Sequence, residues 1–438
     1  MKKNRFRAAA GKTLAVVTVA LIVISVLAPG ASAAGKYKIL HQFSGTDGSD
    51  PEDNLLIFDA AGNMYGTTYS GGAYGEGTVF NLTPNSDGTW TESVLYSLAG
   101  GSDLRNPMAG VISDSSGNLY GTGIGGGAYG GGGVYELSPN DDGTWTESVL
   151  HSFTGGSDGR NSIGGVIFDS AGNLYGTTAN GGASGHGVVF RLTPNSDGTW
   201  TESVLYSFKG GKDGTYPDHA SLIFDTAGNL YGEAGMGGRG NCNWVRHGCG
   251  TVFELTPNSD GTWTETVLYR FAGGNDGATP ESTLTFDQAG ALYGTTHWGG
   301  GGSCAGNGGK GCGTVFRLAP NSKGGWTEQV IHRFQTRGGA EPWGGLVFDA
   351  SGNLYGTAFV HGLGSCSVGG YGKGCGTMFE LVPNSKGGWT EEVLHRFSKS
   401  PGGNPFGSVV FDANGNIYGV ASGEGTHGAH GFVFEITP

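Results

Sequence analysis

One nine-residue phrase recurs seven times along the chain. "FDAAGNMYG" at residues 58–66 returns as "SDSSGNLYG", "FDSAGNLYG", "FDTAGNLYG", "FDQAGALYG", "FDASGNLYG" and "FDANGNIYG". Its aspartates are Asp59, Asp114, Asp169, Asp225, Asp287, Asp349 and Asp412, spaced by 55, 55, 56, 62, 62 and 63 residues. Repetition at this period requires a fold assembled from equivalent units, either stacked in line or closed in a ring.

Each unit reads as four strands. In chain order within a unit they are typified by "GGVIFD" (164–169), "NLYGTT" (173–178), "GTVFELTP" (250–257) and "TWTESVLYSF" (199–208). Val, Ile, Phe, Tyr, Trp and Thr dominate, as pleated half-buried surfaces demand. Asp-x-x-Gly-Asn between the first two strands suits a type I turn closed by a left-handed glycine. Pro-Asn-Ser-Asp-Gly serves between the third and fourth. No helical period follows residue 34. The 90 glycines lack a Gly-x-y period, which excludes collagen.

The count of fourth strands decides between stack and ring. They start at Trp90, Trp145, Trp200, Trp263, Trp326 and Trp389, six for seven units. The last unit stops at "GFVFEITP", a third strand. The missing fourth strand stands at the front, where "YKILHQF" (37–43) aligns with "SVLYSF" and "QVIHRF". Such displacement serves a closed ring, in which both chain ends complete one sheet and cover its edges. The sequence therefore predicts an all-β, seven-bladed β-propeller over residues 34–438, with four antiparallel strands per blade.

Residues 1–33 read as a secretory signal peptide: a basic start, an apolar run from Leu14 to Ala28, and Ala31-Ser32-Ala33 before the cleavage point. Its removal takes the net charge from −13 to −18. So acidic a surface disfavours nucleic acid and anionic lipid. The expectation is a secreted or extracellular monomer, with the periplasm as alternative, and no membrane span after cleavage.

In a propeller one face carries the tight turns. The other carries the inter-blade loops and the loops joining second to third strands, where variation concentrates. Six cysteines fall in that second loop set, as Cys242/Cys249, Cys304/Cys312 and Cys366/Cys375 in blades four, five and six. Export and the short spacing predict three local disulfides. Each closes a loop of about eight residues and contributes about 2.5 kcal/mol on chain-entropy grounds. No C-x-x-C appears, which disfavours zinc.

The same blades carry the unusual side chains: Trp244, Arg246 and His247, then His297 and Trp298, then His361 and Tyr371, with Trp343 from a neighbouring inter-blade loop and Tyr216 and His219 before blade four. Aromatic rings with His and Arg on cross-linked loops suit a platform for a glycan, a peptide or a cell-surface protein. The alternative is that long loops cover one another with aromatics.

No G-x-S-x-G, H-E-x-x-H or phosphate-loop motif in strand-helix context is present, so no catalytic residue is assigned. A loop acid such as Asp218 or Glu281 beside a histidine remains open. No metal or cofactor is expected. Calcium at the loop aspartates Asp47, Asp103, Asp158, Asp213 and Asp276 is the alternative, with ligand spacing unlike the alternating acidic loop. Glu92, Glu147, Glu202, Glu265, Glu328 and Glu391 recur on outer strands.

The repeat "GGVIFDSAGNLYGTT…GGASGHGVVFRLTPNSDGTWTESVLYSF" resembles the Gloeo-Verruco (GloVer) tandem repeat over nearly all of residues 37–438. That resemblance implies an exported bacterial repeat protein whose biochemical role is not established. The chain departs from it in lacking an evident C-terminal sorting segment, so release rather than anchoring is expected. The functional reading is a binding or interaction propeller, with a propeller-based glycan-active hydrolase or lyase as the alternative.

Overall fold

The computed structural model describes residues 36–52, 55–240, 242, 248–302, 304, 311–362, 364–369 and 371–438. Among these the chain forms seven four-stranded antiparallel sheets and two two-stranded ribbons, with no helix. No described helix is long and apolar enough to cross a membrane. The expected signal peptide lies outside the described residues.

Blade three shows the pattern: Ile167–Phe168, Leu174–Thr178, Val188–Pro194 and Trp200–Ser207 pair in chain order. In blade seven Val410–Phe411, Ile417–Ala421 and Phe432–Thr437 are completed by Lys36–Gln42. Lys36 opposes Thr437, Ile39 opposes Phe434 and Gln42 opposes Phe432. The predicted ring closure is therefore observed.

Each fourth strand shifts register once against the third, at equivalent positions such as Val79/Phe80 and Val189/Phe190. Such bulges increase the local twist. Here they let consecutive sheets splay around a common axis.

The core lies between blades rather than within them. At six of the seven junctions a phenylalanine after the fourth strand meets the third-strand phenylalanine of the next blade edge-on; between blades one and two Leu98 and Tyr135 take these places. Phe153–Phe190, Phe208–Phe253 and Phe271–Phe316 all have centroids 5.1 Å apart. The seam between the chain ends and blade one repeats it, with Phe43 and Phe80 at 5.1 Å. Edge-to-face pairs of this kind add about 1 kcal/mol each beyond area burial. The fourth-strand tryptophans also pack between blades, as with Trp263 against Tyr175 at 6.3 Å.

The repeated turn aspartate is a local clasp. Asp59 Oδ1 accepts the Ala61 and Asn63 N–H groups, and Oδ2 accepts from Asn63 Nδ2 and the Tyr65 hydroxyl. Burial alone would raise this carboxyl, but the hydrogen bonds from Asn63 and Tyr65 outweigh it and hold it below its ordinary value. Asp114, Asp169, Asp225, Asp349 and Asp412 repeat the clasp.

The recurrent outer-strand glutamates sit at blade junctions. Burial first, then the charge of the preceding blade's loop aspartate, pushes Glu92, Glu147, Glu202, Glu265 and Glu328 up to about 7. Their partners are Asp47, Asp103, Asp158, Asp213 and Asp276, and Glu147 and Asp103 share a hydrogen bond. At the first junction His41, Asp47 and Glu92 bring ligand-type atoms within 4.8 Å of one another.

Deleting Lys36–Gln42 leaves Phe432–Thr437 as an open sheet edge, and we expect aggregated or oligomeric protein by light scattering; an unchanged melting curve contradicts ring closure. The rim glutamates predict a pH effect. Their folded value near 7 exceeds the ordinary 4.5, so the stability they add is complete below about 4.5 and lost as pH rises through about 7. Burial pushes His332 and His395 down from 6.5 to about 4, an opposing contribution that is complete above about 6.5. From about pH 6.5 to 8 the glutamates act alone among these rim groups, so the urea midpoint falls. Replacing all five glutamates with glutamine flattens that fall; an equal slope in both proteins overturns the assignment.

Candidate functional site at the channel mouth

Seven equivalent residues enter the blades in the left-handed backbone region. They are Asp50, Asn106, Asn161, Tyr216, Thr279, Glu341 and Asn404, with φ between 53° and 65°. All but Asn161 precede a proline. Non-glycine residues rarely adopt this conformation, and it persists only where surrounding contacts impose it.

The contacts that impose it are two backbone hydrogen bonds. The N–H of each donates to a loop carbonyl of the preceding blade, and its C=O accepts from the residue after the second strand of its own blade. Thus Glu341 donates to Cys312 O at 2.9 Å, and Phe359 donates to Glu341 O at 3.1 Å. Thr279 and Asn404 donate likewise to Cys249 and Cys375. In blades one to three the corresponding acceptors are Glu76, Gly131 and His186.

Three of these acceptors are disulfide cysteines. Cys242–Cys249, Cys304–Cys312 and Cys366–Cys375 all form, with Cα–Cα separations of 5.5, 5.5 and 4.9 Å. Each local bridge therefore fixes the carbonyl that orients the entry of the next blade.

Two residues beyond each left-handed position stands a variable side chain: Glu52, Met108, Ile163, Asp218, Glu281, Trp343 or Phe406. Met108, Ile163, Trp343 and Phe406 belong to one apolar cluster with Tyr69, Ile124, Phe359 and Tyr371. Residues from so many blades meet only on the axis. Trp343 stacks on Phe406 at 4.7 Å, and His219 of blade four reaches both, at 5.1 and 6.1 Å. The loop-face end of the channel is thus covered by a plug with acids set into it.

His297 lies beneath that plug. Its ring is 3.7 Å from Trp343, 4.5 Å from Trp298 and 5.8 Å from Tyr371. Nε2 is 3.4 Å from Glu341 and Nδ1 is 3.9 Å from Glu281. His297, Glu341 and Glu281 are only 1%, 0% and 8% exposed. A Cβ on Gly235 would overlap the Glu281 carboxyl, so blade four supplies the space that this acid occupies.

The acids surround Tyr371. Burial first raises its phenol, and the charges of Glu424, Glu281, Glu341 and Glu52 raise it further. Asp218 is raised by burial, which outweighs the neighbouring His219, and burial lowers His219 in turn. Asp218 is partly exposed as a residue although protein surrounds its carboxyl. Nearby, Glu233 stands where Thr67, Thr122, Thr295 and Thr357 send hydroxyls to the next blade. It accepts the Ser282 N–H at 2.7 Å and is 2% exposed; burial lifts its carboxyl well above the ordinary range.

The structure brings together His297, Trp298, Trp343 and Tyr371 from the sequence-predicted set. His361, 7% exposed, sits in a left-handed kink of its own loop, without a ring contact to that group among the described residues. Trp244, Arg246 and His247 lie outside the described residues. Glu341, Glu52 and Phe406 escaped sequence reasoning. Their signal is the x-Pro step repeated ahead of six first strands, with a variable residue directly after the proline. Two openings lie elsewhere. A 630 Å³ groove is lined by Gly155, Arg160, Asn161 and Asn180, and a 440 Å³ cleft on the tight-turn face by Asp287, Tyr293, Asp349 and Trp389.

Fold and mouth together define the class: a closed seven-bladed propeller whose loop face is individualised at one register position. The chain belongs to the Gloeobacter/Verrucomicrobia repeat family, whose repeat matches residues 27–246, 86–307, 201–365 and 245–438. No curated protein matches it. Among solved structures it is similar to an ulvan lyase, a polysaccharide lyase bound to -[GlcA(1-4)Rha3S]-, at 12% identity and TM-score 0.51 over 90% of this chain and 95% of that one. A gluconolactonase from Xanthomonas campestris aligns at 17% identity and TM-score 0.34, over 54% of this chain and 67% of that one. At these identities the likeness concerns the fold alone.

If Cys312 orients Glu341, a Cys304→Ser/Cys312→Ser variant exchanges the Glu341 amide hydrogen faster. The Asn106 amide, held by Glu76 O, is the internal control and stays unchanged. Equal behaviour of both amides contradicts the coupling. The stability loss is at most about 2.5 kcal/mol.

Proposed function

We propose that this chain is an exported monomeric binding propeller, holding a glycan, peptide or surface protein on its loop face at the mouth and disulfide loops of blades four to six. One observation carries the reading. The strands and tight turns of the seven units repeat nearly the same residues, yet the register position that reaches the axis holds six residue types in seven units: Glu, Met, Ile, Asp, Glu, Trp and Phe. In blades five to seven that position is oriented by the disulfide loop before it. Individual side chains on a rigid scaffold are what recognition requires.

The second reading is a glycan-active hydrolase or lyase on the same scaffold. Such chemistry uses two carboxyl groups facing a substrate across about 5–10 Å. Here Glu281 and Glu341 flank His297 and are almost wholly covered. That burial disfavours hydrolysis by this pair. No cofactor is part of the proposal, and the acidic surface makes nucleic acid an unsuitable partner.

A glycan and peptide array probed with the exported protein tests the reading. Trp298→Ala, on the half-buried side of the mouth, is expected to reduce retention on the matching ligand by about tenfold. Equal retention by the variant, or release of shortened glycan products by the wild type, counts against it.

A further inference from the structure

Three polar groups at the mouth have no hydrogen-bond partner: Trp343 Nε1, Asp218 Oδ1 and His219 Nδ1. Trp343 is 9% exposed, and the His219 ring packs against it. Buried polar atoms are ordinarily satisfied, so three orphans in one place need an account. They comprise an indole N–H donor, a carboxyl acceptor and an imidazole nitrogen of either role. Carboxylates from five other positions, Asp50, Glu52, Glu281, Glu341 and Glu424, ring the same mouth. Bases on that face include Arg105, which lies 4.0 Å from Glu76, with Arg160 at the equivalent entry and Lys373 in the loop of Tyr371.

We propose that the mouth takes an amino-sugar residue of a glycan, its protonated amine directed to Asp218 and its hydroxyls to Trp343 Nε1 and His219. The proposal rests on the binding reading above and names the ligand class for that site. Each rival chemistry meets an obstacle on the page. An acidic glycan would face carboxylates of its own sign. A divalent cation needs clustered ligands, and among the described residues the one group of three ligand-type residues within 4.8 Å is His41, Asp47 and Glu92 at the rim. A lysine side chain offers donors alone, so it would leave the indole N–H unsatisfied. An amino sugar presents an ammonium donor beside hydroxyls that both give and accept. The half-buried Tyr371 ring beside Trp343 favours a nearby cation.

The test is calorimetry of the exported chain with four probes. They are a chitosan oligosaccharide with free amines, its fully N-acetylated counterpart, an oligogalacturonate and an oligolysine peptide. The chitosan probe is expected to bind at least about tenfold more tightly than the other three. Asp218→Asn should remove most of that preference while leaving the melting temperature unchanged. Trp343→Phe, which keeps the ring and deletes the N–H, should weaken the chitosan probe alone. Equal or tighter binding of the acetylated or acidic oligosaccharide overturns the inference, as does undiminished preference in Asp218→Asn. Tighter oligolysine binding overturns the sugar assignment. Binding of none of the four also overturns it; the wider binding reading is then judged separately, by the array and Trp298→Ala.

Discussion

Antiparallel pairing of Lys36–Gln42 with Phe432–Thr437 is the interaction on which the molecule depends. Seven sheets set side by side in an open row would leave two unpaired edges and two unsealed blade faces. Joining the chain ends in one sheet removes both defects. It also places Phe43 against Phe80, so the seam receives the edge-on ring contact found between the internal blades. The fold is then a set of near-equivalent interfaces, and losing any one opens the ring.

Closure also creates the mouth. Seven blade entries converge on one axis only because the ring is complete, and each entry hangs from the blade before it through a hydrogen bond to a loop carbonyl. A disulfide in one blade therefore acts on the next. The bridge at Cys304–Cys312 sets Glu341 and, two residues on, Trp343. The bridge at Cys366–Cys375 sets Asn404 and Phe406 in the same way. Long glycine-rich loops lose much conformational entropy on ordering, and the cross-links reduce that loss where the mouth side chains must be held still.

Blade number, strand order, closure and cysteine pairing were legible in the sequence because each is written as a local pattern that recurs. The mouth was only half legible. His297-Trp298 in a glycine-rich stretch reads as an exposed loop pair. Yet His297 directly follows a second strand, and its equivalents Tyr69, Ile124 and Phe359 also face the axial cluster. Its burial follows from that register, not from the loop around it. Trp343 reads as an inter-blade aromatic for the same reason, since nothing local says that a residue after the x-Pro step points to the axis. The meaning of that step lies in a hydrogen bond to another blade, which no local pattern contains.

Repetition separates two kinds of acid in this protein. The rim glutamates occur at six equivalent fourth-strand positions, and five of them face a loop aspartate, so one explanation must serve them all: they belong to the blade junction. The mouth acids obey the opposite rule. Glu52, Asp218 and Glu281 share a register with Met108, Ile163, Trp343 and Phe406, and Glu233 replaces a threonine that bonds the next blade in four of its equivalents. A junction that works with Met or Thr has no structural need of a carboxyl there, and burying one is costly. Glu233 takes over the threonine's bond by accepting the Ser282 N–H of the next blade, while the acids at the axial position belong to their own blades and not to the junction that every blade shares.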